Sequence, residues 1–115
     1  DALSNYAPMM KKEDGLIDWN QPATVVHNLV RGLDPWPAAY THLGEDVLKI
    51  AATSVDGTLS GEPGTVLLAD IDGVRIACGS GALLVRELQL PGKKRLAAGD
   101  FLRGRELPIG TRMEF

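Results

Sequence analysis

The sequence predicts a mainly β protein, a small antiparallel barrel preceded by an extended arm and one amphipathic helix. Three observations carry that expectation. Apolar and polar residues alternate with period two in Val47–Val55, the pattern of a half-buried strand. About five short apolar runs follow one another with close turns and no long helix between them, which suits antiparallel neighbours and a small closed sheet. Helical spacing occurs near the start, where Ala23, Val26, Leu29, Val30 and Leu33 fall on one side of a helical wheel. At 115 residues, 44% hydrophobic and 23% charged, the chain has the composition of one domain with one modest core.

Taken in order, residues 1–19 contain Pro8, Gly15 and two lysines without a sustained period. They read as an extended arm, expected to be mobile because few apolar residues offset its ordering entropy. Asn20 is placed to cap a helix over about 21–33, with Pro22 in the first turn, where a missing N–H costs nothing. Gly32 and Pro35 stop it. A strand over Ala39–Leu43 turns at Gly44-Glu45-Asp46 into the alternating strand. Gly57–Gly64 is a loop rich in residues that break regular structure. Thr65–Asp70 and Val74–Cys78 form a hairpin around Asp72-Gly73, and Gly79-Ser80-Gly81 turns the chain into a strand over Ala82–Leu90. Pro91-Gly92 ends that strand. Ala98, Phe101 and Leu102 mark a short helical turn before the chain runs out through Pro108 and Gly110.

Charge divides along the chain. The net charge is −3, yet residues 1–72 carry eleven acidic against four basic side chains, while residues 73–115 carry eight basic against four acidic. Indiscriminate nucleic-acid binding is disfavoured by the acidic balance, whereas a localised anion-binding face in the last third is permitted. No apolar run reaches the ~20 residues of a membrane helix, so no membrane role is expected. The single cysteine, Cys78, permits no internal disulfide, which fits a cytoplasmic setting. The sequence opens on Asp1, without a charged-then-apolar signal segment, and reads as a processed chain or as a piece of a longer one, with the second favoured.

Enzyme constellations are poorly represented. His27 at the edge of the helical stripe and His42 within a strand lack neighbours at metal-ligand spacing, so no metal site is expected. Cys78 shares a strand face with Val74 and Ile76 and reads as a small buried residue. Gly79-Ser80-Gly81 lies between strands, whereas phosphate loops open helices. Trp19 and Trp36 bracket the helix. Prolines on both sides of Trp36 favour a clamp onto the barrel over a base-stacking platform.

The basic cluster carries more information. Lys93-Lys94-Arg95 follows the Pro-Gly turn, and Arg103 and Arg105 recur on the next short helix, pointing outward because Ala98, Phe101 and Leu102 take its inner face. Such a group could neutralise phosphates, or it could be a solvated surface paired with Asp100 and Glu106. Residue chemistry alone leaves both open. Lys11 and Lys12 form a weaker second group, with Glu13 and Asp14 immediately after them.

Several motifs resemble a known family: Ile17-Asp18-Trp19, Gln21-Pro22-Ala23, Arg31-Gly32-Leu33-Asp34-Pro35-Trp36-Pro37, Leu88-Gln89-Leu90-Pro91-Gly92-Lys93-Lys94 and Ala98-Gly99-Asp100-Phe101-Leu102-Arg103-Gly104. In this order, from about Tyr6 to Arg105, they resemble the C-terminal domain of methionyl-tRNA formyltransferases with its inter-domain linker. The resemblance implies that residues 1–19 are the linker and 20–115 an OB-like domain. It implies a parent enzyme that formylates initiator methionyl-tRNA from 10-formyltetrahydrofolate, its co-substrate, in translation initiation. The catalytic residues then lie in an N-terminal Rossmann-like domain, and this piece has no catalytic residue and no transfer activity of its own. It further implies tRNA contacts through Lys11, Lys12, Arg31, Lys93, Lys94, Arg95, Arg103 and Arg105, chiefly to phosphate and ribose. Many family members carry lysine where this chain has Met9 and arginine where it has Leu16. Met9, Met10 and Leu16 are then expected to pack on the catalytic domain. Two other functions are compatible with the motifs. One is an accessory barrel of a relative acting on a sugar nucleotide or free formyl-folate, without RNA; the other is a purely structural brace.

Overall fold

The computed structural model describes residues 15–33 and 38–113. Lys11, Lys12, Met9, Met10 and Trp36 lie outside the described residues. Helix α1 spans Ala23–Leu33, as its apolar spacing requires, and buries Ala23, Val26, Val30 and Leu33. Its start differs from expectation. The Pro22 carbonyl accepts the first intrahelical bond, from the Val26 N–H at 3.1 Å, so Pro22 rather than Asn20 stands at the cap. Asp18 turns the chain into the helix: its Oδ1 accepts from the Asn20 N–H at 3.0 Å, and its carbonyl from the Gln21 N–H at 3.1 Å.

The strands are β1 (Ala39–Leu43), β2 (Asp46–Asp56), β3 (Val66–Asp70), β4 (Gly73–Ala77), β5 (Ala82–Gln89) and β6 (Leu96–Ala97), followed by helix α2 (Ala98–Gly104). All pair antiparallel, in the order β1-β2-β5-β4-β3. β5 is the hub. One edge pairs β2 along its length, while the other is shared between β4, opposite residues 82–85, and β6, opposite 87 and 88. The mainly β, antiparallel architecture is as expected. Among the described residues, however, the sheet is open, with β1 and β3 at its ends rather than joined in a closed ladder.

Leu48, Ile50, Val74, Ile76, Leu83, Val85 and Leu88 form the sheet's buried face, with Val26 and Val30 of α1 and Phe101 of α2 in the same core. The alternation in β2 loses its phase at Ala51 and Ala52. Ala51 is buried, and Ala52 takes φ +52, while the register against β5 stays the same on either side. The β3–β4 turn is the pair Ile71-Asp72, with Gly73 already opposite Asp70 in the ladder, one residue earlier than the Asp-Gly signal suggested.

The end of the expected arm is packed. Leu16 bridges Tyr40, and the Ile17 N–H donates to the Tyr40 carbonyl at 2.9 Å, so residues 16 and 17 cover the edge of β1. Ile17 and Trp19 are fully buried. The Trp19 indole N–H donates to the Thr41 hydroxyl at 2.9 Å, which satisfies both polar atoms inside the core. Trp19 is therefore a clamp. The Gly79-Ser80-Gly81 turn also serves packing: the Ala23 N–H donates to the Ser80 carbonyl and the Gly79 N–H to the Gln21 carbonyl, each at 2.9 Å. A Cβ on Gly79 would meet the Asn20 carbonyl oxygen at 1.9 Å, so this close approach requires glycine.

Candidate nucleic-acid interface

β5 runs directly into the basic segment, and the local sequence fixes how it leaves the sheet. Pro91 presets its own φ, Gly92 takes φ +71, and the Lys93 N–H donates to the Leu90 carbonyl at 3.1 Å. These are the marks of a type II turn. The Gln89 amide N–H donates to the Lys93 carbonyl at 2.9 Å, tying the turn back to the last residue of β5. Lys93 and Lys94 are exposed, and among the described residues no carboxylate pairs with either. Two ammonium groups thus stand on a short, braced turn.

The arginines behave differently. Arg95 Nε donates to Glu87 Oε1 at 2.6 Å, Arg103 Nη1 to Asp100 Oδ1 at 2.9 Å and Arg105 Nη1 to Asp46 Oδ2 at 2.6 Å. Asp100 is the partner expected for Arg103. Asp46, 59 positions away across the fold, takes Arg105 in place of neighbouring Glu106. Arg105 also lies just beyond α2, where its extended backbone ends the helix, so it is not a second outward residue of that helix.

Around the turn lie two basic hollows. Arg95 shares one of about 440 Å³ with Arg31, His27 and Thr53, formed where α1 crosses β2. His27 Nδ1 lies 2.7 Å from the Thr53 hydroxyl there. Lys93, Lys94 and Arg105 share the other, of about 290 Å³, with Asp100 and Phe101. Five of the eight predicted basic residues, Arg31, Lys93, Lys94, Arg95 and Arg105, line these two hollows. Arg103 does not: its hollow is formed with Asp70, Ile71 and Leu102. Another hollow, of about 470 Å³, lies on the outer face of β1, β2 and β5. Sequence reasoning missed it because its walls come from separate strands.

Elsewhere the site-bearing candidates are structural. Burial pushes the Cys78 thiol up to about 11, so no thiolate forms near neutrality. No group of three or more His, Cys, Asp or Glu among the described residues could hold a metal ion. No helix among them is long and apolar enough to cross a membrane.

Residues 9–106 match the family described as "Formyl transferase, C-terminal domain". The chain belongs to that family. Its relatives include the methionyl-tRNA formyltransferase of Citrifermentans bemidjiense, 54% identical over 96% of this chain and 34% of the relative. That of Geobacter metallireducens is 53% identical over 98% of this chain and 36% of the relative. The chain therefore spans about a third of the length of the curated relatives it matches. Among solved structures, HypX from Aquifex aeolicus in complex with tetrahydrofolic acid aligns with a TM-score of 0.70 and 25% identity. The alignment covers 85% of this chain and 19% of HypX. Within this formyltransferase C-terminal domain, the Lys93–Lys94 turn and its flanking hollows bring together five of the predicted basic side chains.

Proposed function

We propose that this domain holds tRNA by its phosphates for a methionyl-tRNA formyltransferase. The parent transfers a formyl group from 10-formyltetrahydrofolate to initiator methionyl-tRNA in the cytoplasm, through a separate N-terminal Rossmann-like catalytic domain. Relatives of that name and 53–54% identity support the parent enzyme. The observation that carries the holding role is the pair of unpaired, exposed ammonium groups at Lys93 and Lys94, on a turn braced to the sheet. Arg31 and Arg95 line one neighbouring hollow, and Arg105 shares another with the two lysines. Lys11 and Lys12 belong to the same proposal as contacts from the linker.

Exposed ammonium groups suit phosphate and ribose contacts, which position a folded RNA without reading its sequence. Choice of the initiator then rests with the rest of the parent. The test is titration of the chain with initiator tRNA from about 50 to 200 mM salt, where phosphate-dominated affinity falls steeply. Binding with a clear salt slope, weakened by Lys93→Ala with Lys94→Ala, is the expected result. Absence of binding at low salt overturns the reading and favours a brace, for which the highly exposed Ile71 and Ile109 would be docking residues.

A further inference from the structure

The outer-face hollow beside the lysine turn has a composition that phosphate holding does not require. Its walls follow from register. Tyr40 of β1 lies opposite Lys49 of β2, and Lys49 lies opposite Gln89 of β5, so the three form one row across the strands. His42 and Val47 form the next pair on the same face. The period of two that buries Thr41, Leu43, Leu48, Ile50 and Leu88 on the core side leaves this row outside. Pro91 closes the hollow at the end that leads to Lys93 and Lys94.

The Tyr40 and His42 rings meet edge to face, with centroids 5.8 Å apart and planes at 84°. They make an aromatic corner in a half-open pocket, with an ammonium group at Lys49 on its wall and two more just beyond Pro91. A bare phosphate has no use for aromatic faces. A planar, electron-rich heterocycle carried on a phosphate chain uses both, stacking on a ring while its phosphates meet the lysines. We propose that this hollow receives one unstacked nucleotide of the bound RNA, with Tyr40 and His42 as the stacking surface and Lys49 on its phosphate. The inference deepens the tRNA-holding reading and rests on it. It adds a contact to a base through its face, which is tolerant of base identity.

The chain has two tyrosines and two histidines, so the ring signals of Tyr40 and His42 are readily assigned by NMR. The probes are a single-stranded RNA tetranucleotide and an abasic ribose-phosphate oligomer of equal length. The tetranucleotide is expected to shift both ring signals, and the abasic oligomer to leave them in place. Tyr40→Leu, which keeps an apolar side chain at the position, should weaken the tetranucleotide about tenfold, within the range for one lost stacking contact. Abasic binding and the thermal midpoint should stay unchanged. Equal shifts with both probes, or unchanged tetranucleotide affinity in Tyr40→Leu, overturn the pocket. If initiator tRNA still binds with its salt slope in that case, the pocket alone has failed. If the tetranucleotide shifts the rings while initiator tRNA does not bind at low salt, the holding role has failed and the pocket stands.

Discussion

The Lys93–Lys94 turn and the Arg103–Arg105 segment carry the same charge within one short stretch of chain, yet the fold treats them oppositely. At the turn, backbone geometry and the Gln89 amide do the positioning, and among the described residues no carboxylate pairs with the ammonium groups. In the arginine segment each guanidinium is held by a carboxylate, at 2.9 Å for Arg103 and 2.6 Å for Arg105. A cation already paired contributes little new field to an incoming phosphate, because its partner must be displaced or carried along. Counting basic residues therefore overstates the interface. What matters is which of them the fold leaves without an internal partner.

The largest effect that would sharpen this contrast comes from replacing Lys93 and Lys94 together by alanine. Affinity for initiator tRNA at about 50 mM salt should fall at least about tenfold. The slope of log affinity against log salt should shrink by roughly 1.4 to 1.8, the counterions of two contacts. A salt titration reads both quantities. An unchanged slope would place the contacts elsewhere and remove the contrast.

A smaller effect is expected from Gly92→Ala. At φ +71 a Cβ is strained although the space around it is open, so stability should fall by about 1 kcal/mol on chemical denaturation. The charges remain, but the turn that aims them is weakened. Affinity should drop severalfold with the salt slope nearly kept, which separates aim from charge. Loss of slope equal to that of the lysine replacements would mean that the turn has no positioning role.

Asp46→Asn tests the contrast from the other side. Removing the carboxylate releases Arg105, so tRNA binding should strengthen about two- to threefold, with the slope steeper by somewhat less than 1. The ion pair is partly exposed, and its loss should cost less than about 1 kcal/mol. Weaker binding in this variant would show that Arg105 must be held by Asp46 to act.

How much of this was legible beforehand depends on whether the cause was local. The helix, its apolar face and its stop were written in spacing and in Gly32 and Pro35. The lysine turn was written in Pro91-Gly92, since those two residues almost dictate its geometry. Trp19 was legible as a clamp, though its Thr41 partner was not. Features that needed two distant segments stayed hidden. The meeting of Arg31 with Arg95 depends on where α1 crosses β2, and the Asp46–Arg105 pair joins positions 59 apart. The Tyr40–Lys49–Gln89 row depends on two strand registers at once. Openness of the sheet was equally invisible, because alternation says which face of a strand is buried and nothing about whether its edge finds a partner.

Arg103→Ala should have the smallest effect, and it bears on the contrast most directly. The Arg103 side chain is 78% exposed, joined to Asp100 one helical turn away, and set in a hollow apart from the lysine turn. Exposed pairs of this spacing contribute about 0.3–0.5 kcal/mol, so denaturation should register almost nothing. Affinity for tRNA and its salt slope should match the unmodified chain. Arg103 carries the same unit charge as Lys93 and is only ten positions away, so sequence alone would rank the two together. A loss of binding comparable to that of the lysine variants would mean that RNA displaces Asp100 from Arg103, and that internal pairing does not decide which cations take part. An unchanged titration would make the pairing pattern, rather than the basic composition, the property that defines the interface.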